Sequence, residues 1–142
     1  MTEIIFYTFA DNPLDVARRV AGKAHSQGKQ VMIYAPDAAV ADTIDRLLWT
    51  TPALGFVPHC RDIDPLAGET PVLIGANPNA LSRADVMINL HPTEPPAFAR
   101  FERVVEIIDQ TDAGREQGRA RYRFYQSRGY ALQSHDMREH TG

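Results

Sequence analysis

The sequence predicts an α/β domain in three layers, a mostly parallel sheet with helices on both faces, and three observations carry that prediction. Several short runs are mostly apolar, with too few polar breaks for half-exposed strands, and rich in β-branched and aromatic residues, as in EIIFYTF at 3–9 and RVVEII at 103–108. Runs without polar alternation are the mark of strands buried on both faces, the usual state of a parallel sheet. These runs alternate with segments of helical periodicity, which implies strand–helix–strand units with right-handed crossovers. Finally, 142 residues suffice for one well-packed core but hardly for two, so residues 1–142 are read as a single domain.

In order, residues 3–9 form a first strand. Asn12 then offers a cap and Pro13 a first helical position. Leu14, Ala17, Val20, Ala21 and Ala24 follow at helical spacing, and Gly28 is a natural stop. Residues 30–35 (QVMIYA) give a second strand, and Pro36-Asp37 opens a helix with Val40, Ile44, Leu47 and Leu48 as its inner stripe, ending near Trp49. The stretch 50–70, holding Pro52, Pro58 and Pro65, reads as irregular. Short strands are expected at 71–75, 85–90 and 103–108, a short segment at Phe98–Phe101, a last helix at 112–128 and a final strand at 130–133. The last residues (~8) read as a fraying tail.

Composition excludes several functions. A hydrophobic fraction of 44%, a charged fraction of 23% and a net charge of −3 describe an ordinary globular protein. The apolar start lacks a basic flank and ends by Asp11, so it is no signal peptide, and no run approaches the ~20 residues of a membrane span. A single cysteine, Cys60, excludes an intrachain disulfide, and a cytoplasmic location is expected. The first strand-to-helix turn, Thr8-Phe9-Ala10-Asp11-Asn12-Pro13, has no glycine, and Asp11 would repel a pyrophosphate. No nucleotide loop and no cofactor are expected. The five histidines lack metal spacing and read as loop and surface residues, so no metal is expected. Asp62 and Asp64 read as solvated loop carboxylates. The serines lack a nucleophile-elbow context, and Cys60 beside His59 lacks a third group to orient the base, so no catalytic residue is assigned.

Two surfaces point to recognition instead. Residues 115–128 carry five arginines against Glu116 alone, a net +4, which leaves −7 on the remainder of a chain of total −3. On a helical wheel Arg115, Arg119 and Arg123 fall within about 80° of arc, with Tyr122 close by. Ala113, Gln117, Ala120 and Phe124 lie opposite as the expected core stripe. Arginines in place of lysines favour bidentate or stacked contacts with carboxylate or phosphate. Gly114 and Gly118 are costly in a helix, about 1 kcal/mol each against alanine, and serve either close packing or room for a ligand. The second surface is WTTPALGFVPHC at 49–60, which either tucks its apolar side chains into the core or exposes them for a protein partner.

These two places carry a resemblance. The run Leu47-Leu48-Trp49-x-x-Pro52-Ala53-x-x-Phe56-Val57-Pro58-His59 resembles the signature of the DNA polymerase III chi subunit family. Arg119-x-Arg121-Tyr122-Arg123-x-Tyr125 followed by Gly129-Tyr130 is similar as well, and Phe6-Tyr7, Gly28-Lys29 and Val104-Val105 match in order and spacing. The resemblance extends to about Ser134. It implies a Rossmann-like α/β domain without a bound nucleotide and a non-catalytic subunit on the clamp-loader side of the replicase. It further implies capture of the acidic, phenylalanine-ended C-terminal tail of single-stranded-DNA-binding protein by Ile108, Arg115, Arg119, Tyr122 and Arg123. A surface including Trp49 and Phe56 would face the psi subunit or, where psi is missing, a DNA-repair helicase. Single-stranded DNA would then be contacted only indirectly. Direct single-strand binding by the arginine–tyrosine face is the rival reading, opposed by the −7 remainder, and a nucleotide-using enzyme with a non-standard site is the weaker one.

Overall fold

The computed structural model describes residues 2–50 and 57–140. The chain runs β1 (Glu3–Ala10), α1 (Pro13–Ser26), β2 (Val31–Tyr34), α2 (Ala38–Thr50), β3 (His59–Arg61), β4 (Val72–Gly75), β5 (Val86–Asn89), β6 (Arg103–Asp109), α3 (Asp112–Ser127) and β7 (Ala131–Asp136). The strands form one seven-stranded sheet in the order β3-β4-β2-β5-β6-β1-β7, with every pairing parallel. No helix among the described residues is long and apolar enough to cross a membrane.

Alternation along the strands divides the core into two layers. Val31, Ile33, Val72, Ile74, Val86, Ile88, Val105 and Ile107 face α1 and α2. Ile4, Phe6, Met32, Leu73, Met87, Val104 and Ile108 face the α3 side. Both faces of the central strands are covered, which is why their sequences read as unbroken apolar runs. The result is the expected three-layer, Rossmann-like arrangement.

Local signals act as their chemistry predicts. Asn12 Oδ1 accepts from Asp15 N at 3.2 Å, capping α1, with Pro13 in the first helical position. Gly28 adopts φ +76 just past the helix, a conformation glycine adopts without steric cost. Three expectations need correction. The stretch 50–70 contains β3, a three-residue edge strand whose sequence, His59-Cys60-Arg61, has no apolar run to betray it. His59 is no surface residue: its ring is buried, with Nδ1 2.8 Å from Val57 O and Nε2 3.0 Å from Asp45 Oδ1. Asp62 is more than a solvated carboxylate, because its Oδ2 accepts from Ala76 N at 2.9 Å and Asn77 N at 2.8 Å, tying the loop after β3 to the end of β4.

At the carboxyl terminus, β7 runs on to Asp136, and residues 137–140 make a 3₁₀ turn that lies against β1. Residues 135–140 of the segment read as a tail therefore have regular structure. Residues 141–142 lie outside the described residues.

Candidate functional site

The last helix forms over Asp112–Ser127, one residue short of the expected span, and Thr111 caps it by accepting from Gly114 N at 2.9 Å. Its inner face differs from the expected one. Ala113, Gln117 and Ala120 are exposed and Phe124 is half-buried, whereas Gly118, Arg121 and Tyr125 are buried. Three alanine or glutamine side chains offer little apolar area. The helix instead turns its aromatic residues inward and accepts a buried arginine, because the sheet supplies a counter-charge.

That counter-charge is Glu106, fully buried in the middle of β6. Its Oε1 accepts from Arg121 Nε at 2.9 Å and its Oε2 from the Tyr125 hydroxyl at 2.7 Å. Asn89 Nδ2 donates to both oxygens, at 3.0 and 3.1 Å, and Arg121 Nη1 also donates to Pro92 O. Burial raises the Glu106 carboxyl from its ordinary value to about 7, opposed by the charge of Arg121 and by the hydrogen bonds from Tyr125, Asn89 and Arg121. Burial, and then the neighbouring Glu106, push the Tyr125 hydroxyl upward. No buried side-chain polar atom is left without a partner among the described residues. This network clamps α3 to the sheet.

Clamped in that way, α3 closes a pocket of about 220 Å³ against the edge of the sheet formed by β1, β6 and β7. Phe6, Ile108 and Gly118 are its buried apolar part, and Tyr122 packs edge-on against Phe6 with ring centroids 5.3 Å apart. Arg115, half-buried, and Arg119, exposed, supply cations at its border; Thr8, Phe9 and Ser134 complete it. Gly118 has a steric reason to be glycine, since a Cβ there would lie 2.6 Å from Ile108 Cδ1. Gly114 has another: a Cβ would collide with the Asp109 carboxylate, which accepts from Thr111 N at 3.0 Å and Thr111 Oγ1 at 2.7 Å. Both glycines therefore serve close packing.

Arg119 pairs only loosely, 3.3 Å from Glu116, with both side chains more than half exposed. Such a pair contributes little and yields readily to a better anion. Arg115 has no carboxylate partner among the described residues. The pocket is thus an apolar hole bordered by two available guanidinium groups, suited to a ligand that ends in an apolar side chain next to negative charge.

Of the five residues assigned by resemblance to one site, Ile108, Arg115, Arg119 and Tyr122 come together in this pocket. Arg123 is exposed on α3 and does not line it. Sequence reasoning missed the contributions of Phe6, Thr8, Phe9 and Ser134, which reach the pocket through strand pairing that no local pattern encodes. It also missed the Glu106–Arg121 pair. A signal existed there, because a glutamate inside an otherwise apolar, doubly buried strand demands a counter-charge.

On the opposite face of the sheet, Trp49 at the end of α2 is 61% exposed, its ring 5.0 Å from that of His59. Ile63 and Leu66, in the loop after β3, are exposed too. Val57 is buried, and Phe56 lies outside the described residues.

Comparison with known proteins gives the chain a family. The family model for "DNA polymerase III chi subunit, HolC" matches residues 1–133. The DNA polymerase III subunit chi of Pseudomonas aeruginosa is 35% identical over 141 residues, covering 96% of this chain and 98% of that one. The Escherichia coli subunit chi is 31% identical over 114 residues, covering 80% and 78%. The Haemophilus influenzae subunit chi is 28% identical over 137 residues, covering 93% and 95%. Among solved structures, Saccharomyces cerevisiae Dbp5 bound to RNA and ADP BeF3 aligns with a TM-score of 0.63 at 13% identity. The Pyrococcus furiosus Hef helicase domain aligns at 0.54 and 14% identity. This chain spans 41% and 28% of their lengths, and the likeness is one of fold alone. With the family model matching nearly end to end and full-length relatives agreeing with it, this chain belongs to the DNA polymerase III chi subunit family.

Proposed function

We propose that this protein is a non-catalytic adaptor of the replicase. In this reading it associates with the clamp loader of DNA polymerase III in the cytoplasm and captures the acidic C-terminal tail of single-stranded-DNA-binding protein. The observation that carries the proposal is the pocket on α3. It joins an apolar hole of Phe6, Ile108 and Tyr122 to the guanidinium groups of Arg115 and Arg119. A tail ending in phenylalanine would seat its ring in the hole, while its carboxylates would meet the arginines. The positive charge of this helix on an otherwise acidic chain supports a negatively charged peptide over a long polyanion such as DNA, which the −7 remainder would repel. A disordered tail binds modestly by itself, and several tails on one oligomer would raise the effective affinity. Exposed Trp49, on the other face, supports a second surface for the psi subunit or a DNA-repair helicase.

The test is binding of a fluorescent peptide from the C-terminus of single-stranded-DNA-binding protein to wild type and to Arg119→Ala. Wild type is expected to bind, and the variant to lose about 2 kcal/mol, roughly thirtyfold. Equal binding by the two proteins would contradict the role given to Arg119.

A further inference from the structure

Phe9 is an anomaly at the border of this pocket. It sits near the end of β1 with φ +57, in the left-handed region that residues with bulky side chains rarely occupy. The β1–β6 register shifts between Tyr7 and Ala10, so a bulge re-aims the side chain. Gln110 Nε2, donating to Phe9 O at 3.2 Å and to Asp11 Oδ1 at 2.6 Å, holds the backbone in that shape. The ring belongs to neither layer of the core and is only half-buried, so core packing does not explain the strain. What the ring does touch is cations. Arg138 Cζ lies 3.5 Å from its centroid and Arg115 Cζ 5.3 Å from it. Arg138 is paired with Asp136, Nη2 to Oδ2 at 2.6 Å, whereas Arg115 has no carboxylate partner among the described residues.

A strained residue that persists outside the core is a reason to look for function. Holding a flexible arginine with a carboxylate would neutralise it; holding it against a ring face leaves its charge and its N–H donors available. We propose that Phe9 is a positioning residue of the pocket: it fixes the Arg115 guanidinium at the pocket border, uncompensated, for the carboxylates of the incoming acidic tail. This proposal rests on the tail-capture reading. It gives the left-handed turn a purpose, and it assigns the end of β1, rather than α3 alone, a part in selecting an anionic ligand.

The experiment measures affinity for the same tail peptide in wild type, Phe9→Asn, Phe9→Tyr, Arg115→Ala and the Phe9→Asn/Arg115→Ala pair, with thermal unfolding alongside. Asparagine tolerates the left-handed conformation but has no ring, and tyrosine restores the ring. Phe9→Asn is expected to keep or raise the unfolding temperature while weakening the peptide about tenfold, and Phe9→Tyr to bind as wild type. In the Arg115→Ala background Phe9→Asn should cost nothing further, because the two residues act as one unit. Should Phe9→Asn fail to fold, Phe9→Gly, which removes the steric conflict altogether, takes its place. Unchanged affinity in the ring-less variant, or effects that simply add in the double variant, would overturn the proposal while leaving tail capture standing. Wild-type protein that ignores the peptide would overturn both.

Discussion

A guanidinium and a carboxylate taken out of water together, as Arg121 and Glu106 are, hold a structure only when their remaining donors and acceptors are met. Here Tyr125, Asn89 and the Pro92 carbonyl meet them. Arg121→Ala strands a carboxylate that burial already disfavours, and a loss of about 3–5 kcal/mol is expected by urea unfolding. The same group gives stability a pH dependence whose sign is fixed. Its folded-state value is raised from 4.5 to about 7, so the folded chain keeps the proton that the unfolded chain releases. The contribution is fully present below pH 4.5 and is lost as pH rises through about 7. Across that window wild type should lose stability relative to Glu106→Gln, which does not titrate. Parallel stability profiles for the two proteins would contradict the assignment. In the sequence Arg121 reads as one of a run of surface arginines, because charge alone does not say which way a side chain turns. Glu106, one position in an apolar strand, held the missing information.

At the level of elements, the strands and helices were legible because each carries a period that its environment enforces. Doubly buried strands lose their polar alternation, and α1 and α2 show apolar stripes that the sheet faces cover. Two elements resisted. β3 is short, lies at an edge and has no apolar run, so nothing local distinguishes His59-Cys60-Arg61 from loop. The inner face of α3 departs from the expected stripe because its burial is aromatic and ionic, not aliphatic. The pocket was half legible. Its arginines and Tyr122 share a helix, whereas Phe6, Phe9 and Ser134 arrive through the pairing of β1 with β6 and β7. The placement of α2 and α3 on opposite faces of the sheet makes the two surfaces independent. Trp49→Ala should therefore leave affinity for the tail peptide unchanged while weakening a psi or helicase partner. Peptide titration of that variant checks the point, and a tenfold loss of tail affinity would mean the surfaces are coupled.

For the molecule as a whole, charge is segregated. Residues 115–128 carry a net +4, of which Arg121 is paired with buried Glu106, on a chain whose remainder is −7, so the field favours a short anionic peptide placed against one helix. The sheet, covered on both faces, acts as a rigid spacer between that helix and exposed Trp49. The adaptor role proposed above would use this layout, with two recognition surfaces held apart and the polar groups at the centre holding the helix in place. The measurement that tests the account most directly compares binding of this protein to intact single-stranded-DNA-binding protein, to the same protein lacking its acidic tail, and to bare single-stranded DNA. The account predicts binding to the first and loss of binding to the second and third. Undiminished binding to the tail-less protein, or salt-sensitive binding to bare DNA with no affinity for the tail, would contradict it.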